Sequence, residues 1–205
     1  MRRESSTVVV LVGEIGDGLL ATLARSPGIS VVRAPAAGTG KPPDGGPEAA
    51  RPGWEAGALA LREAARRRSM YVIVPDDPLA EVAAGWRAMW AGPGGAAGFE
   101  EYAAQVLAAW RDKRFELPDY YLVVAPAQDD AAGPDLYLGP LRAVRPRRVA
   151  VAGVAGRPGQ ASVLLDALRS LPQGPWWPPL GELLDAARHF YAGGLAETQQ
   201  AGSDG

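Results

Sequence analysis

Residues 7–13, TVVVLVG, carry the reading of the fold. Apolar residues follow one another from Val8 to Val12 with no polar alternation, and Gly13 closes the run. An alternating strand has one wet face; an uninterrupted apolar strand is buried on both. Four further runs share the pattern: Ile29–Arg33 (ISVVR), Met70–Val74 (MYVIV), Tyr120–Ala125 (YYLVVA) and Val149–Val154 (VAVAGV). Strands buried on both faces belong to a parallel sheet covered by helices.

The segments between these runs supply the helices. Leu19, Leu20 and Leu23 make an apolar stripe after the first strand, stopped by Ser26-Pro27-Gly28. A helix over 54–68 ends in Arg66-Arg67-Arg68, where positive charge complements the helix dipole. Two stripes follow the third strand, on Leu79, Val82, Ala83, Trp86, Met89 and Trp90 and on Phe99, Tyr102, Ala103, Val106, Leu107 and Trp110, each at the spacing of a buried helical face. Ala91–Gly98 separates them, so an inserted helical hairpin, or one crossover helix with a second packed outside it, is expected there. Further helices are expected over 135–144, with Pro140 weakening its middle, over 160–171, and over 180–191.

This order predicts a three-layer, doubly wound parallel sheet of five strands, Rossmann-like or flavodoxin-like, with an extra C-terminal helix. Its simplest strand order is 2-1-3-4-5, with the switch point between strands one and three. One α/β domain over 1–192 accounts for the chain. The segment 35–53 holds ten Gly or Pro and reads as a flexible loop, and the polar 193–205 reads as a disordered tail.

Composition narrows the chemistry. The net charge of −2 disfavours broad binding to nucleic acid. With no Cys, thiol catalysis, disulfides and Cys-ligated metals are excluded. His189 is the one histidine, so a His-rich metal site is excluded and any Ser-His pair would have to use it. No run approaches the length of a membrane span, and Arg2-Arg3 followed by a short apolar run does not make a signal peptide, so a cytoplasmic protein is expected.

Three groups of residues could carry function, all at the carboxyl ends of strands. Gly16-Asp17-Gly18-Leu19-Leu20-Ala21 matches G-x-G-x-x-A at a helix start, and Arg33 after strand two would suit a 2′-phosphate. Gly16, Gly18 and Arg33 are therefore candidate nucleotide-cofactor residues, against the reading of a plain turn capped by Asp17. Glu14, Asp76 and Asp77 gather acids at the switch point, with Asp129-Asp130 after strand four. Mg²⁺ would be the natural resident of such a group. Asp77-Pro78 and Asp129-Asp130 also suit ordinary helix starts and turns. Gly38-Thr39-Gly40-Lys41 lacks the glycine spacing of a phosphate loop, and Gly153–Gly159 reads first as a turn.

Two families that place acids at these strand ends are not matched. Topoisomerase–primase domains carry Glu-Gly and Asp-x-Asp, whereas here Ile15 follows Glu14 and the two Asp are adjacent. Response-regulator receivers carry a Lys after strand five, where Arg157 stands.

With no complete catalytic set, the leading expectation is a non-catalytic or accessory module that binds a small ligand or protein partner. A Mg²⁺-dependent phosphoryl-transfer or nuclease-type enzyme on Glu14, Asp76 and Asp77 is the alternative, and a nucleotide-cofactor protein the third. Trp176-Trp177, set among prolines, are expected to be buried at least in part and to clamp the last helix to the core, the alternative being an exposed aromatic patch for a partner.

Overall fold

The computed structural model describes residues 6–34, 53–92, 95–125, 135–154 and 159–203. The loop expected over 35–53 falls almost wholly outside these, as do Asp129-Asp130 and the Gly38–Lys41 stretch.

Five parallel strands form one sheet: β1 (Thr7–Val12), β2 (Ile29–Val31), β3 (Tyr71–Val74), β4 (Tyr120–Ala125) and β5 (Val149–Val154). The class expected from the uninterrupted runs is the one found. The order is β2-β3-β1-β4-β5, which corrects the simplest expectation by exchanging β1 and β3. Strand length follows this order. β1, β4 and β5 have six residues each and lie side by side, while β3 has four and β2 three, so length falls toward the β2 edge. Long strands thus ladder with long strands, and few backbone groups lose a partner. β1 stays next to β3, with Val10 opposite Val74 on one side and Tyr121 on the other.

The helices are α1 (Asp17–Ala24), α2 (Gly53–Ala64), α3 (Ala80–Ala91), α4 (Ala96–Arg111), α5 (Arg142–Val144), α6 (Gln160–Arg169) and α7 (Leu180–Ser203). A π-helical turn at Tyr137–Leu141 runs directly into α5. On one face of the sheet, Val9, Leu11, Ile73 and Leu122 pack with α1 and α6 through Leu20, Leu23, Leu164 and Leu168. On the other, Val10, Val72, Val74, Tyr121 and Val123 pack with α2, α3, α4, the π turn and α7. Adjacent residues of β1 thus point into different cores, which is why its sequence shows no alternation. The first connection runs outward over the α1 face, and the later ones return over the other face, as right-handed crossovers require.

α3 and α4 form the expected hairpin. A side chain at Gly85 would meet the backbone of Phe99 at 2.7 Å, so glycine permits the close approach. α7 continues to Ser203. Its two central glycines look like breakers in the sequence, yet Gly194 lets the helix close on Trp90, whose ring lies 2.5 Å from where a side chain would begin. Trp90 meets Tyr191 edge-on at 5.0 Å, and the Tyr191 hydroxyl donates to the Met89 carbonyl at 3.1 Å. Arg188 ties α7 to Glu100 of α4 at 2.6 Å and holds the Glu100 carboxyl below its usual range. No described helix is long and apolar enough to cross a membrane.

Candidate functional site at the carboxyl edge of the sheet

β1 leaves the sheet toward α1 on one face, while its neighbours β3 and β4 lead to elements on the other. The carboxyl end of β1 is therefore a topological switch point, where open α/β sheets leave a crevice. Glu14, Asp76 and the β1–α1 turn all stand at this edge.

Gly13 opens the turn at φ +115°, and a side chain there would sit 2.4 Å from the Val124 carbonyl oxygen, so the fold itself demands glycine. Gly16 and Gly18 have open space where a side chain would go and carry no left-handed φ. Gly16 occupies the N-cap, and its carbonyl accepts from the backbone N–H groups of Leu19 and Leu20, so Asp17 is the first helical residue and not the cap. The Asp17 carboxylate faces Arg33 at 2.5 Å, and both side chains are more than half exposed. The one cation proposed for a phosphate is thus held by an acid of the same turn.

The acids of the β3 exit are also engaged. Asp76 Oδ2 accepts from the backbone N–H of Ala34 at 2.6 Å and fastens the chain leaving β2. Asp77 Oδ1 accepts from the Leu79 N–H at 2.9 Å, and its other oxygen accepts from the Tyr137 hydroxyl. Glu14 is exposed. Among the described residues, no three His, Cys, Asp or Glu side chains stand together in a way that could hold a metal ion.

Asp77 belongs to a polar cluster that sequence patterns did not reveal. Tyr121 and Tyr137 are fully buried, with ring centres 5.2 Å apart, and the Tyr121 ring also meets Trp177 at 5.7 Å. The Tyr121 hydroxyl is buried facing Asp77 and, among the described residues, makes no hydrogen bond of full geometry. Asp135 Oδ1 accepts from the N–H groups of Tyr137 and Leu138, at 2.8 and 3.1 Å, and so fixes the start of the π turn. Burial raises the Asp77 carboxyl from 3.8 to about 6, opposed by the bonds from Tyr137 and Leu79 and aided by the charge of Asp135. Burial, then the charge of Asp77, holds both tyrosines well above their usual range. The doublet Tyr120-Tyr121 was the available signal, because neighbours on a strand face opposite cores.

A second signal lies in the turn. Gly13, just after β1, and Gly18, in the first turn of α1, stand at the G-x-x-x-x-G spacing of a phosphate loop. The shorter match beginning at Gly16 hides this frame. Leu19 and Leu20 stand where the frame carries Lys and Ser/Thr, and Leu20 is buried in the core.

His189 lies on the exposed side of α7, its Nδ1 2.7 Å from the Asp185 carbonyl oxygen. Trp177 is buried and donates from Nε1 to the Pro118 carbonyl at 2.8 Å, whereas Trp176 is 45% exposed. No family model, curated protein or solved structure matches the chain.

Proposed function

We infer that the protein is a non-catalytic binding module that holds a ligand or partner at the carboxyl edge of β1 and β3. The observation that carries this reading is the phosphate-loop frame of Gly13 and Gly18 with Leu19 and Leu20 in place of its working residues. In a working loop the Lys reaches the β- and γ-phosphates and the hydroxyl ligates Mg²⁺. Leucine does neither. The acids nearby already accept from the backbone or from Tyr137, and Arg33 is paired with Asp17. A Mg²⁺ enzyme on Glu14, Asp76 and Asp77 would have to share two of its carboxylates with the bonds that hold Ala34, Leu79 and Tyr137, and a dinucleotide would compete with Asp17 for Arg33.

The test is a titration of the whole chain with ATP, GTP and NADPH, with and without Mg²⁺, followed by a phosphate-release assay. The expected result is no Mg²⁺-dependent binding and no phosphate release above that of buffer. Phosphate release that disappears in Asp76→Ala would overturn the reading in favour of the enzyme. Tight NADPH binding lost in Arg33→Ala would overturn it in favour of a cofactor protein.

A further inference from the structure

The opposite edge of the sheet carries a different chemistry. Between Asp135 and Asp166 the sequence has no acidic residue and five arginines, Arg142, Arg145, Arg147, Arg148 and Arg157, in a chain whose net charge is −2. Three of them converge just before β5 on the connector between α6 and α7. Arg148, 2% exposed, donates to the carbonyls of Gly174 at 2.7 Å, Pro175 at 3.0 Å and Asp119 at 3.2 Å. Its guanidinium lies 5.0 Å from the ring centres of both Tyr120 and Trp176. Arg145 Nε donates to the Trp176 carbonyl at 2.7 Å, and Arg147 Nη1 to the Gln173 carbonyl at 3.2 Å. Four successive carbonyls of a proline-stiffened segment therefore hold three guanidinium groups along one connector.

Between them lies a groove of about 150 Å³, lined by Val144, Arg145, Pro146, Arg147, Arg148 and Pro175. Gly174 lets the connector lie against Arg147, whose Cβ is 2.8 Å from where a side chain at 174 would begin. Among the described residues no carboxylate pairs with Arg145 or Arg147. Each guanidinium keeps N–H groups free beyond its bonds to the backbone. The half-exposed Trp176 ring stands over Arg148.

We propose that this groove at the amino end of β5 recognises an acidic segment of a partner protein, its carboxylates pairing with Arg145 and Arg147 and an adjoining apolar side chain seated against Pro146, Pro175 and Trp176. Arginine and tryptophan are the residues that most often dominate protein interfaces, and here their geometry is set before binding, which lowers the ordering cost. A carboxylate matches the planar fork of a guanidinium. Two unpaired cations around a small apolar groove suit a short peptide better than a nucleic-acid backbone, whose binding grows with the number of phosphates neutralised. The proposal is independent of the reading of the β1–α1 turn.

The test uses fluorescence anisotropy of the full chain with a labelled peptide of alternating Glu and Leu. Its Lys-Leu counterpart, a labelled single-stranded oligonucleotide and inorganic phosphate are the other probes. The Glu-Leu peptide should bind saturably and less tightly as salt rises. Arg147→Glu should weaken it by about tenfold or more, and Trp176→Ala should weaken it too. Arg147→Gln, which removes the charge and keeps the first part of the stem and an amide donor, separates lost charge from lost packing and should weaken binding while the melting temperature is kept. Absence of binding at millimolar peptide, equal binding of the Lys-Leu peptide, or binding indifferent to Arg147→Gln would overturn the proposal. Tighter binding of the oligonucleotide would replace it with a nucleic-acid surface, and binding of phosphate alone with a small-anion site.

Discussion

The Tyr137 hydroxyl donates to the Asp77 carboxylate across sixty residues of chain, joining the turn after β3 to the π turn before β5. Asp77 accepts from the Leu79 N–H just before α3, and the bond from Tyr137 adds a tertiary contact.

The burial of Asp77 has a pH signature, which the bond from Tyr137 opposes. The folded Asp77 carboxyl is raised from 3.8 to about 6, so the folded state binds its proton more tightly than the unfolded chain does. The contribution is fully present below 3.8 and is lost as pH rises through about 6. The rise corresponds to about 3 kcal/mol, an order-of-magnitude figure. Asp77→Asn, a mimic of the protonated acid, should flatten this part of the stability profile. Urea unfolding of both proteins from pH 4 to pH 7 checks it, and parallel profiles would contradict it.

The glycines of the β1–α1 turn should behave oppositely. Gly13→Ala forces a side chain onto the Val124 carbonyl at φ +115° and should destabilise by about 3 kcal/mol or more. Gly18→Ala meets open space inside a helix and should stabilise by up to about 1 kcal/mol. Thermal melts of the two variants measure both. If Gly18→Ala also abolished binding of a ligand found later, Gly18 would be kept for close approach and not for folding.

The two adjacent tryptophans should separate. Trp177→Ala removes a buried indole and its bond to Pro118 and should cost about 3–5 kcal/mol. Trp176→Ala removes a half-exposed ring stacked on Arg148 and should cost about 1 kcal/mol. Arg148→Lys should cost more than Trp176→Ala, because an ammonium cannot span the carbonyls that the planar fork reaches. Denaturant midpoints rank the three, and equal losses at Trp176 and Trp177 would contradict the assignment of the clamp to Trp177.

Millimolar Mg²⁺ should leave the melting temperature unchanged, since Asp76 and Asp77 already accept from Ala34, Leu79 and Tyr137. A rise with Mg²⁺ that vanishes in Asp76→Ala would restore the metal reading of Glu14, Asp76 and Asp77.

The sequence alone determined the layers of this protein. Runs such as Val8–Val12 report burial on both faces, and Leu20 with Leu23 report a helix laid on one of them. Both are local properties with a fixed period, so they survive in a linear text. The carboxyl-edge location of Glu14, Asp76 and the β1–α1 turn follows from the same topology. What depended on partners far along the chain was decided only by tertiary packing. All five runs are apolar, so nothing in them states that β3 ladders with both β1 and β2. Asp77 reads as a free acid until Tyr137 is brought to it, and Arg148 reads as one surface arginine among many until the carbonyls of Gly174 and Pro175 close over it. Gly194 reads as a helix breaker until Trp90 fills the space it leaves. Each of these residues takes its role from an atom that sequence distance does not reveal, because a hydrogen bond or a close contact is set by geometry in three dimensions and not by the residue types on either side.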